Sequence, residues 1–182
     1  TTIIGIGTGS TTNFFIDMLV KHREKFYGAV ASSKATEQRL IDGGVRVVDL
    51  NDALEGSSSI PIYIDGADEF NPQLELIKGG GGALTREKII ASASETFICI
   101  VDDSKRVSTL GKFPLPVEVI PMARKLIMNR IRDLGGHPTW REGFITDNGH
   151  HIVDIHGLTF DSAREWEEKL SSWPGVVTVG LF

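Results

Sequence analysis

Only one cysteine, Cys99, occurs in the 182 residues, so no internal disulfide can form and a reducing, cytoplasmic setting is the expectation. Long apolar runs are absent too. Nothing approaches the ~20 residues that a membrane-spanning helix needs, and no basic start followed by an apolar stretch reads as a leader. Positive charge is in deficit, with 19 Lys and Arg against 24 Asp and Glu and a net charge of −5. That argues against the broad basic face of a nucleic-acid binder, but leaves room for a local cationic site that takes a small anion. Internal repeats and low-complexity tracts are missing. What is present is ordinary for a folded protein: 41% hydrophobic and 24% charged residues, enough to bury a core. Cys99, inside the apolar run 97–101, reads as a buried core thiol. The chain enters a strand at once and ends on one, so ordered material is expected beyond both ends.

Apolar runs at residues 2–6, 29–31, 60–64 and 97–101 each stop at small or charged residues. Between them lie helical patterns: residues 10–22, with Phe14, Phe15, Met18 and Leu19 expected on one stripe, and residues 84–93. Strands alternating with helices predict a parallel, Rossmann-like sheet, whose ligands gather at the carboxyl ends of the strands. From about Val117 the rhythm changes to strand 117–120, helix 122–134, strand 138–141, a hairpin over 144–155 turning at Asn148-Gly149, helix 162–171 and strand 176–181. That β-α-β-β-α-β order is the split βαβ, ferredoxin-like arrangement. The expected organisation is a Rossmann-like domain over 1–116, its sheet open to completion by C-terminal residues, and a smaller α+β domain over 117–182.

Four segments carry chemistry. Gly5-Ile6-Gly7-Thr8-Gly9-Ser10-Thr11-Thr12 joins a strand to a helix, where backbone N–H groups and hydroxyls can hold an anion. It matches neither the Walker nor the dinucleotide pattern, and a structural turn with a Ser cap is the plainer alternative. Asp65-Gly66-Ala67-Asp68-Glu69 puts two carboxylates three residues apart at a strand end. They suit sugar hydroxyls, proton transfer or a divalent metal, or else an Asp-rich turn. No cluster of His or further carboxylates supports a metal; His150-His151 reads as a solvated strand start. Lys78-Gly79-Gly80-Gly81-Gly82 is the most unusual segment. Four glycines carry a high conformational cost, justified where peptide N–H groups crowd a ligand oxygen beside the Lys78 charge; a flexible hinge is the alternative. Glu87 then falls in the first turns of a helix, where the helix dipole favours an acid and where a base for proton abstraction beside a carbonyl would also fit. Lys105 adds a cation after the strand 97–101.

Together these segments resemble ribose-5-phosphate isomerases of the A type. The matching stretches are GIGTGST at 5–11, DGADE at 65–69, LIKGGGGALTREKIIASAS at 76–94, VDDSK at 101–105 and LGKFPLPVEVIP at 110–121, and the similarity continues over 146–157 and 174–182. The resemblance implies an aldose–ketose isomerase of the pentose phosphate pathway that interconverts ribose 5-phosphate and ribulose 5-phosphate through an enediolate. Glu87 would carry the proton between C1 and C2. Asp65 would assist ring opening, and Asp68 would contact sugar hydroxyls, with Gly66 and Ala67 lining the same turn. Lys78 with Gly79, Gly80 and Gly81 would bind the developing oxyanion. Thr8, Gly9, Ser10, Thr11 and Lys105 would hold the substrate towards its phosphate. No metal or organic cofactor is implied, no nucleic acid or membrane partner, and a cytoplasmic homodimer is expected. The family also has an N-terminal helix carrying a phosphate-contacting lysine, and a C-terminal tail. Both lie outside this chain, so an incomplete phosphate site is expected. Two rivals are a non-catalytic sugar-phosphate sensor of the same fold, which would need a DNA-reading element, and an acyl-CoA transferase, which has no use for Lys78 and its glycines.

Overall fold

A computed structural model describes residues 2–182 of the chain. They divide into two compact units, one holding residues up to Gly66 and Arg86–Val101, the other Ala67–Thr85 and Asp102–Phe182. This division cuts the chain differently from a boundary at 116/117: residues 67–85 and 102–116 belong with the C-terminal part.

The first unit is built on four parallel strands, β1 (Ile3–Ile6), β2 (Gly28–Ala31), β3 (Ile60–Asp65) and β6 (Ser94–Cys99), in the order β2-β1-β3-β6. Successive side chains on a strand leave opposite faces, so the sheet needs two cores. On one face Ile4 and Ile6 pack with Ile16 of α1 (Ser10–Val20) and Leu40 of α2 (Lys34–Asp42). On the other, Val30, Ile60 and Tyr63 pack with Ala53 of α3 (Leu50–Ala53) and Ile90 of α4 (Leu84–Ser92). The stripe that α1 buries is not the one its largest residues suggest. Thr12 and Ile16 are buried, flanked by Phe15 and Leu19, while Phe14 is 75% and Met18 53% exposed. Residues 12, 16 and 15, 19 share one face at i, i+4 spacing, and 14 and 18 fall on the next. Cys99 is half-buried rather than a core thiol, because β6 is the edge strand and Ile98 beside it is also exposed.

The second unit carries an antiparallel sheet of β7 (Leu115–Val119), β8 (His137–Trp140), β9 (His151–His156) and β10 (Val176–Val179), ordered β10-β7-β9-β8. With α5 (Arg124–Asp133) after β7 and α6 (Ala163–Ser171) after β9, this is the split βαβ arrangement. The expected hairpin over 144–155 is corrected: β9 pairs with β8, and residues 144–150 form no strand. The Asn148-Gly149 turn exists, with Gly149 at φ 83°, but it closes a loop from Thr146 to His150 instead of joining two strands. Leu115, Val117 and Val119 of β7 enter the core with Ile127, Ile131 and Leu170. Pro116 and Glu118, also buried, alternate with them and so leave the other face of the sheet. A short pair, β4 (Glu69–Phe70) with β5 (Leu76–Ile77), completes the unit. Among the described residues no helix is long and apolar enough to cross a membrane.

Candidate active site

The chain passes between the units after Gly66, Thr85 and Val101, and each crossing falls inside one of the chemistry-bearing segments at 65–69, 76–94 and 101–105. The first unit holds Thr8–Thr11, Asp65, Gly66 and Glu87; the second holds Ala67, Asp68, Lys78–Gly81 and Lys105.

In the first unit Asp65 ends β3 and is fully buried. Burying a carboxylate is costly unless donors surround it, and here four do. Thr8 N–H donates at 3.1 Å, Thr12 Oγ1 at 3.2 Å and Gly66 N–H at 2.8 Å, all to Oδ1, and the Tyr63 hydroxyl donates to Oδ2. A side chain at Gly7 would collide with this carboxylate, which is why the first loop carries a glycine there. Burial, then the charges of Asp65 and Glu87, push the Tyr63 hydroxyl well above its ordinary pKa, so it stays protonated and donates. The same effect marks Glu87 as an electrostatic neighbour of the Tyr63–Asp65 pair.

Glu87 lies in the first turn of α4 and is buried. A carboxylate placed only to complement the helix dipole has no reason to leave water. Burial therefore favours the chemical reading over the dipole reading. The first loop does not carry the Ser cap allowed for it: the N-cap of α1 is Gly9, with no side-chain cap, and Ser10 and Thr11 are exposed in the first turn. Thr8 instead joins a hydroxyl network, sharing a hydrogen bond with Ser32 at 2.7 Å and donating to Ser33 at 2.8 Å. Thr36 Oγ1 donates to the Gly7 carbonyl at 2.7 Å. Ser32, Ser33 and Thr36 are buried.

In the second unit Lys78 directly follows β5, buried, with its ammonium 5.4 Å from the Phe182 ring centroid. The next four residues form one turn, closed by Gly82 N–H donating to the Gly79 carbonyl at 2.9 Å. Gly79 and Gly82 hold φ of 110° and 80°, which side chains rarely adopt. Gly80 does not; its N–H donates to Asp68 Oδ2 at 2.8 Å, and this close approach favours glycine because a Cβ would sit 2.6 Å from Oδ1. The run thus forms a defined turn on Asp68. Asp68 and Lys105 line one hollow of about 250 Å³ with Lys112. Buried Glu69 accepts the N–H groups of Gly111, at 2.8 Å, and Phe113, which anchors the loop carrying Lys112.

Three side chains escaped the sequence reading. Tyr63 looks like one more apolar residue of β3. Arg141 donates to the carbonyls of Gly79 and Gly80. Glu118, its side chain 1% exposed, accepts from Thr85, from Thr146 at 2.9 Å, from Asn148 at 3.3 Å and from His150 at 2.9 Å. His150 is therefore no solvated strand start. Thr85 is the second residue of α4, two before Glu87. An acid in the middle of the all-buried strand 115–119 was the available signal. Among the described residues no group of three or more His, Cys, Asp or Glu side chains could hold a metal ion.

A sequence model of the family described as ribose 5-phosphate isomerase A (phosphoriboisomerase A) matches residues 28–182. Over 181 residues the chain is 57% identical to the ribose-5-phosphate isomerase A of Stenotrophomonas maltophilia (strain R551-3), covering 99% of this chain and 82% of that protein. It is similar to the crystal structure of ribose 5-phosphate isomerase A from Neisseria gonorrhoeae, with a TM-score of 0.93 and 49% identity over 99% of this chain and 79% of that one. It is similar also to a D-ribose-5-phosphate isomerase in complex with phospho-erythronic acid, with a TM-score of 0.91 and 37% identity over 100% and 82% of the two chains.

Proposed function

The chain belongs to the ribose-5-phosphate isomerase A family, and from that premise we propose how its residues divide the interconversion of D-ribose 5-phosphate and D-ribulose 5-phosphate. The reaction moves a proton from C2 to C1 of the open-chain sugar and another from O2 to O1, through an enediolate. Glu87 takes the C2 proton and returns it at C1. Its burial supports this role, since a carboxylate held away from bulk water is kept for a proton that the protein positions beside it. Lys78 and the N–H groups of the Gly79–Gly81 turn stabilise negative charge as it develops on oxygen. Electrostatic preorganisation of this kind is worth most in a site poor in water.

Asp65 assists ring opening, with Tyr63, Thr8 and Thr12 fixing its carboxylate. Asp68 binds sugar hydroxyls and at the same time shapes the glycine turn through Gly80. Lys105 and the Thr8–Thr11 loop neutralise the phosphate; Gly66 and Ala67 shape the approach to the sugar. The carboxylates are engaged by protein donors, a donor set suited to acid–base work without a bound metal. A cytoplasmic homodimer is the state we infer from the family.

The single observation that carries this reading is a buried carboxylate in the first turn of the helix that follows a lysine-led glycine turn. Its test is conversion of ribose 5-phosphate in D2O, followed by NMR. The account expects ribulose 5-phosphate with deuterium at C1, from exchange on Glu87 during turnover. Binding with no turnover would instead support the sensor reading.

A further inference from the structure

We propose that Arg141 is a positioning residue for the isomerisation, one that clamps the glycine turn and polarises its peptide groups. Arg141 follows β8, and its guanidinium is first fixed from behind. Nε donates to Asp154 Oδ2 at 2.9 Å and Nη2 to Oδ1 at 2.6 Å. Asp154 sits on β9, in register with Pro116 of β7 and Thr139 of β8, so the anchor belongs to the sheet. The remaining donors point forward. Nη1 reaches the carbonyls of Gly79 at 3.3 Å and Gly80 at 3.1 Å, and Nη2 reaches Gly79 at 3.3 Å.

The consequence follows from peptide geometry. The Gly79 carbonyl shares its amide plane with the Gly80 N–H, and the Gly80 carbonyl shares its plane with the Gly81 N–H. In a trans peptide the two ends point in opposite directions. A cation on both carbonyls therefore turns both N–H groups away from Arg141, and the Gly80 N–H indeed points to Asp68 at 2.8 Å. It also draws electron density towards oxygen and makes each N–H a stronger donor, as along any chain of hydrogen bonds. Glycines left to themselves would spread over many conformations. A planar five-donor fork grips a carboxylate bidentately while its other N–H groups reach two carbonyls, a fixed geometry that the point-like ammonium of a lysine does not reproduce. A part-exposed ion pair adds little stability by itself, so the pairing with Asp154 is better understood as the brace for the turn.

The inference rests on the glycine turn serving the oxyanion, and the experiment separates the two. The variants are Arg141→Lys, Arg141→Met combined with Asp154→Asn so that no carboxylate is stranded, and Gly80→Ala. Each is assayed for kcat and KM with ribose 5-phosphate, for inhibition by phospho-erythronic acid, whose carboxylate carries charge resembling that of the enediolate, and for its melting temperature. With both Arg141 variants kcat falls about tenfold or more, KM stays within about threefold, and inhibition weakens in step with kcat. Added guanidinium restores part of the activity of the Met variant. Unchanged kcat and inhibition, with only the melting temperature lowered, would overturn the proposal if Gly80→Ala is impaired. A silent Gly80→Ala would instead bring down the oxyanion reading itself, and the role of Arg141 with it.

Discussion

Two alanines placed two residues apart in the glycine turn should fail in different ways. Gly82 has φ 80°, and a Cβ there would land on the Phe144 ring, with Ile152 Cδ1 3.3 Å away. A left-handed alanine costs about 1–2 kcal/mol, and an extra methyl in a packed site about 1–3 kcal/mol. The sum, about 2–5 kcal/mol, corresponds to a melting temperature lower by roughly 4–20 °C for a chain of this size. Gly80 is different. Its φ is not positive, and its Cβ would meet Asp68 Oδ1 at 2.6 Å, an atom at the end of a half-buried side chain that can swing away. Gly80→Ala should therefore melt within a few degrees of the wild type. Yet it displaces Asp68 and tilts the peptide whose N–H is aimed by the turn, and a misplacement of this size costs about tenfold to a hundredfold in kcat/KM. The assay is steady-state kinetics beside a melting curve for both variants. Equal behaviour of the two, either both low-melting with normal kinetics or both silent, would refute the distinction drawn between a turn-forming and an aiming glycine.

Further outcomes follow from the buried groups. Tyr63→Phe removes the hydroxyl that donates to buried Asp65, and a hydrogen bond to a charged group is worth about 1.5–3 kcal/mol, which urea denaturation at pH 7 should register. Because the folded-state pKa of Tyr63 is raised, the unfolded chain loses its proton first as pH rises past about 10, so wild-type stability falls from there upward. The slope should be shallower in Tyr63→Phe, and an identical slope would contradict the assignment. Glu118→Ala strands the donors of Thr85, Thr146, Asn148 and His150, and should cost about 3–5 kcal/mol in the same assay, whereas a loss below 1 kcal/mol would show the cluster to be slack. Exhaustive chelation and dialysis should leave activity intact; loss with EDTA and recovery on adding one divalent ion would reverse the reading of Asp65 and Asp68.

Most of the first sheet was legible, because strands of a parallel sheet covered on both faces are nearly all apolar and stop abruptly at the residues of the site. After Val117 the alternation of strands with the helices at 124–133 and 163–171 was legible from the change of hydrophobic period, apart from the extra strand expected before the Asn148-Gly149 turn. The face of α1 was not: Phe14 and Met18 are as apolar as Phe15 and Leu19, and only the position of the sheet decides which pair is buried. The partner of β9 was misplaced because the Asn148-Gly149 turn dominates locally, while the pairing with His137–Trp140 is set at longer range. Of the site, every residue given a chemical role sits at a strand end, in a loop or in a first helical turn, as the motifs imply. The supports are another matter. Arg141, Glu118 and Tyr63 act on residues far away in sequence, or through alternation on a strand, and no local pattern marks them.

The central claim is that Glu87 carries the proton. Glu87→Gln keeps the volume and the hydrogen-bonding reach of the side chain and removes only the base, so the measurement is kcat for ribose 5-phosphate at saturating substrate, with KM from the same curves. The account predicts a fall in kcat of about 10²–10⁴ or more with KM little changed. A variant that keeps more than half of the wild-type kcat would contradict it.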